Sequence, residues 1–498
     1  MFFAVALVLL APLALGVVDI YMSTSQRARL QDALDAAALY VARSGSVDAD
    51  EIQAIGLRAL NANLSDSDQA RLVHTNFVLN DSTIVASAEI SSDSIASELW
   101  NHGNMTVNTN AVRNSVNLEV AVVLDITGSM KNDMDDLKEA AEDLVDLVVQ
   151  DVQTPYYSKL AIVPYSNSVN VGAYADAVRG PVNIPVVTGA TNTKNVKVKI
   201  TTSDAHGLSD GDKVKFSDVK GMTQLNGNTY TITNSTATTF DLSGTNGKDY
   251  SKYTSGGLAH CYIYGCEYYT FTNADWNSKT FAQSTCASER TGTHKYNDTA
   301  PSTAYVGRVY AGSSNSCPSA EIMPLSSDKD ALKTLINSLD DGGSTAGHLG
   351  IAWGWYMVSP NFGYVWSDAS SRPAAYGTDE LLKVVILMTD GEFNTAYCNG
   401  VIAKNSGSGS GSDSDHINCN ATNGTSGTQA TALCDAMKQQ DIVIYTVGFR
   451  ISEGSTAAGI LSGCATDAEH QYLPSSGTAL QDAFRAIGQD INSLRLSH

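Results

Sequence analysis

The sequence predicts an α/β protein. Its main body is a doubly wound, mostly parallel sheet, with a membrane helix at the N-terminus and a small all-β module inserted in the chain. Three observations carry this expectation. Val120–Asp125 is a continuous apolar run ending in an acid, and Leu382–Asp390, LKVVILMTD, is a largely apolar one that does the same, as strands buried on both faces of a parallel sheet do. From about residue 117 onward, strand-length and helix-length segments alternate. Between Val196 and Ala259 the helical period vanishes, and short alternating strands rich in Thr, Val, Asp, Gly and Asn take its place.

In chain order, Phe2–Val18 is a nearly unbroken apolar run ending at Asp19. It lies near the lower limit of the roughly 17–25 residues that span a bilayer, and Pro12 is tolerable in such a helix. No Lys or Arg precedes it, and Arg27 is the first basic residue. A cleaved secretory signal wants a basic n-region, so the run reads as a retained anchor, with basic residues upstream of this start in the native protein as one explanation. Leu30, Leu34, Ala37, Ala38 and Val41 then recur at helical spacing, with Arg27, Arg29, Asp32 and Asp35 on other faces. That stripe suits lateral packing against similar helices in the bilayer. Residues 1–45 are thus an anchor with an amphipathic continuation.

Residues 46–114 read as a small α/β stalk module. Val47–Leu64 is its helix, and Leu72–Leu79 and Thr83–Ile90 are strands around an Asn80-Asp81-Ser82 turn. The main domain spans 115–498. After its first strand, Met134, Leu137, Ala141, Leu144 and Val148 mark one face of a helix, and Lys159–Tyr165 is the next strand. The pattern resumes with helices Ala331–Leu339 and His348–Met357. Strands Leu382–Met388 and Ile442–Val447 follow, with helix Thr428–Lys438 between them. Gln471–Pro474 is a last short strand, and Leu480, Phe484, Ile487, Ile491 and Leu494 form the apolar face of a closing helix. Residues 185–259 are the inserted β-barrel-like module and 260–317 a Cys-containing loop region. Ser406–Ser412 reads as a flexible surface loop, with Asp413 and Asp415 beside it solvated rather than Ca²⁺ ligands.

The chain has 498 residues and a net charge of −21. The length calls for more than one domain, and the charge argues against nucleic acid or an anionic membrane surface as partner. Nine histidines show no zinc-ligand spacing. All eight cysteines lie after residue 259, none in a C-x-x-C, which favours disulfides in an oxidising compartment. Cys434 sits on a predicted helix and Cys464 in the loop after the next strand, a spacing that lets the two meet. Cys398 with Cys419 would then close the Gly/Ser-rich loop.

The acid-ended strands also carry the candidate site. Asp125, Thr127 and Ser129 form D-x-T-x-S on one tight loop, at the sheet edge where ligands gather. A carboxylate and two hydroxyls suit Mg²⁺, Mn²⁺ or Ca²⁺ better than zinc. The motif resembles the first ligand loop of the metal-ion-dependent adhesion site of von Willebrand factor A domains, with Thr in place of the first Ser. Gly342-Gly343-Ser344-Thr345 matches that family's second loop, and Thr389-Asp390-Gly391 its third. The order and separation of the loops fit the family. The resemblance implies that Thr345 and Asp390 join Asp125, Thr127 and Ser129 around the metal, directly or through water.

The segment RARLQDALDAAALYVAR resembles the N-terminal region of TadG-like proteins of the tight-adherence (Tad, or Flp) pilus system, which carry a von Willebrand factor A domain downstream. In the inserted module, H-G-L-x-x-G-D and M-x-x-L-N-G-x-x-Y resemble a small β-barrel module of phage-tail and bacterial surface proteins, related to one half-domain of ubiquitin-activating enzymes. No enzymatic role follows from it. The resemblances imply a membrane-anchored cell-envelope protein of Tad/Flp pilus assembly, with a periplasmic or extracellular head. Its metal would bind an acidic side chain of a protein partner, with pilus or pilus-assembly components the expected partners. A surface adhesin for host or matrix protein is the alternative. A metal-dependent hydrolase is a third reading, with His348 the only candidate base near the loops; a non-enzymatic role is expected. Glu392 falls close to the site in sequence.

Overall fold

The computed structural model describes residues 2–44, 46, 48–80, 83–91, 103–112 and 116–497. Within it the chain forms two compact units. The first holds Met1–Asn117 together with Asp151–Tyr157 and Asn492–His498; the second holds Leu118–Gln150 and Ser158–Ile491. The single boundary expected near residue 115 is therefore incomplete, because two later segments group with the N-terminal unit.

The first unit contains helices α1 (Phe2–Arg43), α2 (Ala49–Asn63) and α3 (Asp66–Gln69) and strands β1 (Leu72–Asn80), β2 (Thr83–Ile90) and β3 (Met105–Val112). The strands form an antiparallel sheet in chain order. Asp48 caps α2 by accepting the Glu51 N–H at 2.8 Å. Leu30, Leu34, Ala37, Ala38 and Val41 of α1 are buried as their spacing requires, but their cover is internal. They pack with Ile52, Ile55 and Leu60 of α2 and with Phe77, Ile84, Ala86 and Val107 of the sheet. This corrects the expectation that the stripe packs against other helices in a bilayer. Among the described residues no helix is long and apolar enough to cross a membrane. The side chains of the apolar run Phe2–Val18, and Asp81 and Ser82 of the expected turn, lie outside the described set.

The second unit opens with β4 (Asn117–Asp125), α4 (Met134–Val148), β5 (Ser158–Tyr165), β6 (Val169–Asn170) and α5 (Ala175–Arg179). Six strands follow: β7 (Val187–Ala190), β8 (Lys199–Thr202), β9 (Lys213–Ser217), β10 (Thr229–Thr233), β11 (Thr239–Leu242) and β12 (Leu258–Cys261). Next come β13 (Tyr268–Thr272), β14 (Ser278–Ser288), β15 (Gly307–Tyr310) and β16 (Met323–Ser326), then α6 (Lys329–Asn337), α7 (Gly347–Val358) and β17 (Leu381–Thr389). The chain ends with β18 (Tyr397–Cys398), β19 (Val401–Ile402), α8 (Ser426–Lys438), β20 (Val443–Gly448), α9 (Thr456–Cys464), β21 (Gln471–Tyr472) and α10 (Gly477–Ser497).

The main sheet has six strands in the order β16-β5-β4-β17-β20-β21. β4–β5, β17–β20 and β20–β21 are parallel, and β16 joins the edge antiparallel to β5. Both faces are covered, which is why its strands read as unbroken apolar runs. Ala121, Val123, Ala161, Val163, Val385 and Leu387 share a core with α7 and α8. Val120, Val122 and Leu124 alternate to the opposite face, where α4 packs on β5. Every residue of α7 is buried, as expected of a helix apolar all round.

The inserted strands form their own six-stranded sheet, β12-β9-β10-β11-β8-β7. Its core runs from Val187 to Cys266 and includes Ile200, Val214, Phe216, Ile232 and Phe240. The region expected to be a Cys-containing loop is not loop-like: β13, β14 and β15 form a sheet with β6. Its Ala287, Val306 and Val309 join the main core. Alternation there was masked by Tyr, Thr and Ser on half-buried strands.

Disulfides join Cys261–Cys266, Cys286–Cys317, Cys398–Cys419 and Cys434–Cys464. Cys434 lies on α8. Cys464 ends helix α9 rather than lying in a loop. That helix was missed because its Ala, Gly and Ser residues give a weak periodic signal.

Because the insert and the main sheet have separate apolar cores, residues 190–258 should be dispensable to the fold. Closure cost grows slowly with loop length. Replacing them by a short flexible linker should leave a single cooperative thermal transition of the main domain. Loss of that transition would make the segment part of the core.

Candidate metal centre

β4 and β17 end side by side at one edge of the main sheet, and each delivers an acid there. Asp125 is the last residue of β4 and Asp390 the first beyond β17. Asp125 has no exposed surface. Its Oδ1 accepts the Thr127 N–H at 2.9 Å, and its Oδ2 accepts the hydroxyls of Thr389 at 2.7 Å and Tyr165 at 3.1 Å. These donors hold the carboxylate in one orientation. Burial nonetheless pushes the Asp125 carboxyl above its ordinary range.

From Asp125 a row of oxygens leads outward. Thr127 Oγ1 lies 2.9 Å from Ser129 Oγ, and the Ser129 hydroxyl donates to Asp390 Oδ1 at 2.7 Å. Burial and then the negative charge of Asp125 push the Asp390 carboxyl up to about 7, and Asp133 adds to it. Asp133 is itself held in a two-pronged pair with Arg450, at 2.8 and 2.7 Å.

The second loop reaches the same place. A Cβ on Gly391 would stand 3.9 Å from both Ser129 Oγ and Thr345 Oγ1, so the two hydroxyls flank one point. Backbone bonds stitch the loops together. Gly128 N donates to Gly343 O at 3.0 Å, Gly342 N to Ile126 O at 2.9 Å, and Ala346 N to Ser166 O at 2.9 Å. Asn394 N and Thr395 N both donate to Thr345 O at 3.0 Å. All five residues singled out from the sequence therefore converge at one sheet edge.

The donor set fits a hard divalent cation: two carboxylates and three hydroxyls, all oxygen. Two coupled carboxylates with no cationic side chain on either among the described residues are also a site that a cation would relieve. Among the described residues, no group of three or more His, Cys, Asp and Glu is placed to hold a metal. That is consistent with hydroxyls supplying most of this site.

Two sequence candidates are placed elsewhere. His348 is fully buried; its Nδ1 lies 2.7 Å from Ser426 Oγ and its Nε2 3.5 Å from Glu289 Oε2. Burial acts to raise the Glu289 carboxyl, but the bond and charge of His348 outweigh it and hold it low. His348 thus tethers α7 to its neighbours and has no free ring nitrogen to serve as a base at the loops. Glu392 is exposed and accepts the Ala457 N–H at 3.4 Å, at the start of α9. Asn394, Asn315 and Tyr165, which sequence reading missed, support the site from behind; no spacing rule marks a lone Asn or Tyr as a partner of a distant loop.

The Gly/Ser-rich loop is a further correction. It lies at the surface but is tied down, with Ser410 2% exposed and Gly407 N donating to Asn394 O at 2.6 Å. Asp415 beside it pairs with Lys279 at 2.9 Å and accepts the Ser314 hydroxyl.

Residues 1–44 match the family model described as putative Flp pilus-assembly TadE/G-like. Residues 193–262 match the ubiquitin-activating enzyme E1 FCCH domain. No curated protein matches the chain. Among solved structures, the vWF domain of the type V pili tip protein Mfa5 from Porphyromonas gingivalis is 10% identical. The match covers 76% of this chain and 97% of that one, with a TM-score of 0.35. The pilus adhesin SpaC from Lactobacillus rhamnosus GG is 10% identical over 85% of this chain and 34% of its own, with a TM-score of 0.31. Proximal thread matrix protein 1 of the mussel byssus, with a zinc-occupied MIDAS motif, is 11% identical over 75% and 47%, with a TM-score of 0.28.

Gly343 shows how tightly the second loop is built. Its φ is +80°, and a Cβ there would stand 2.5 Å from Asn167 Oδ1, whereas a Cβ on Gly342 meets nothing within 4 Å. Gly343→Ala should therefore cost about 1–3 kcal/mol, read as a lowered melting temperature, while Gly342→Ala leaves it near the wild-type value. Equal melting of the two variants would contradict this geometry. The chain thus joins a segment that matches the TadE/G-like family model at residues 1–44 to a doubly wound sheet domain on whose edge the three loops gather.

Proposed function

We propose that this is a membrane-anchored cell-envelope protein of Tad/Flp pilus assembly, which uses a divalent-metal adhesion site to bind an acidic side chain of a protein partner. One observation supports this reading above the others. Ser129 and Asp390, 261 residues apart in sequence, are hydrogen-bonded at 2.7 Å on the edge that also receives Thr345.

Asp125, Thr127, Ser129, Thr345 and Asp390 would hold the cation, with Mg²⁺ the first choice and Mn²⁺ or Ca²⁺ the others. When bound, it supplies residual positive charge and an incompletely filled oxygen shell. The chain's own residues do the rest. Asp125 anchors the loop from below through Thr389 and Tyr165. Ser129, which is exposed, and Asp390, which is partly so, face the side from which a partner's carboxylate arrives. The burial of His348 favours binding over hydrolysis as the role of this edge. The TadE/G-like match at residues 1–44 supports the pilus-assembly setting, and the apolar run Phe2–Val18 supports the anchor. Four disulfides suit a periplasmic or extracellular head.

Isothermal titration of the full chain with Mg²⁺ tests the site. Asp125→Ala should weaken binding about 10- to 100-fold and more than Ser129→Ala, because it removes charge as well as an oxygen. Undiminished binding in both Asp125→Ala and Asp390→Ala would reject the assignment.

A further inference from the structure

The second ligand loop has no regular structure between the end of α6 and the start of α7. Its buried backbone N–H groups must find partners outside a helix or sheet. Two of them find side-chain amides. Ser344 N donates to Asn315 Oδ1 at 2.9 Å, and Thr345 N donates to Asn394 Oδ1 at 3.0 Å. Asn394 Oδ1 also accepts the Thr395 hydroxyl at 2.8 Å.

Both asparagines are held in turn by the Gly/Ser-rich segment. Asn315 Nδ2 donates to Ser410 O at 2.7 Å, and Gly407 N donates to Asn394 O at 2.6 Å. Ser410 is buried, and its hydroxyl donates to Gly407 O at 2.6 Å, which fixes the two contact points relative to each other. The Cys398–Cys419 disulfide closes the loop that bears them. An amide suits Asn315 because one planar group offers an acceptor to the metal loop and a donor to the clamp.

We propose that Asn394 and Asn315 are positioning residues of the metal centre, and that the segment 405–412 is the clamp that seats them. The aim of Thr345 is then set by a loop that contributes no ligand. This inference rests on the metal reading above and extends it to the site's control.

The test uses the full chain, titrated with Mg²⁺ and probed by hydrogen exchange at Ser344 and Thr345. Asn394→Ala and Asn315→Ala should bind Mg²⁺ about tenfold more weakly and exchange faster at those amides. Asn394→Asp keeps the acceptor oxygen and should keep Thr345 exchange slow. Gly411→Ala alters the clamp where it meets Asn315. Gly411 has φ +100°, and a Cβ there would overlap Asn315 Nδ2, so it should weaken binding as Asn315→Ala does. If an alanine variant fails to melt cooperatively, Gly411→Ala and Asn394→Asp carry the comparison. Wild-type affinity with unchanged exchange in the variants would overturn the proposal. If the wild-type chain bound no Mg²⁺, the metal reading would fail and exchange would decide what is left: faster exchange in Asn394→Ala sustains the ordering of the second loop by Asn394, and unchanged exchange overturns that too.

Discussion

Two carboxylates brought together at the edge of one sheet are the constraint around which the second unit is built. Asp125 and Asp390 lie at the ends of neighbouring buried strands, and burial and mutual repulsion both oppose their charge. The chain accommodates the pair with fixed donors. Thr127 N–H, Thr389 and Tyr165 hold Asp125, and Ser129 holds Asp390. Their arrangement leaves oxygens directed at a shared point.

Loop placement follows from that arrangement. The first and second loops are joined by main-chain bonds through Gly128, Gly342 and Gly343, and the second and third through Thr345 O and Asn394. Displacing any one loop therefore disturbs the others, and partner capture at this edge would be sensitive to distant packing. The inserted β module stands apart from this network because it encloses its own apolar core.

Much of the site was readable from the sequence because the signals are local. A buried strand ending in an acid, followed by hydroxyls or glycine, needs no tertiary knowledge to be recognised. The same locality made the central strands clear, since both faces are buried and no polar alternation interrupts them. What escaped was non-local or weakly patterned. β16 and α9 are short, and the Ala, Gly and Ser of α9 dilute its period. The strands from Tyr268 to Tyr310 carry Tyr and Thr on half-exposed faces, so they read as loop. Asn315 and Asn394 act on residues 29 and 49 positions away, which no spacing rule anticipates. The apolar face of α1 was visible as a stripe, but its cover by α2 and a small sheet depends on strands that reading placed only in part.

If oxygens from three loops converge on one cation, that cation can be located directly. Crystals of the full chain grown with Mn²⁺ and measured for anomalous scattering would show it. A single strong peak is expected among Ser129, Thr345 and Asp390, next to Asp125 and Thr127. A peak elsewhere, with these five side chains hydrogen-bonded only to one another at saturating Mn²⁺, would contradict it.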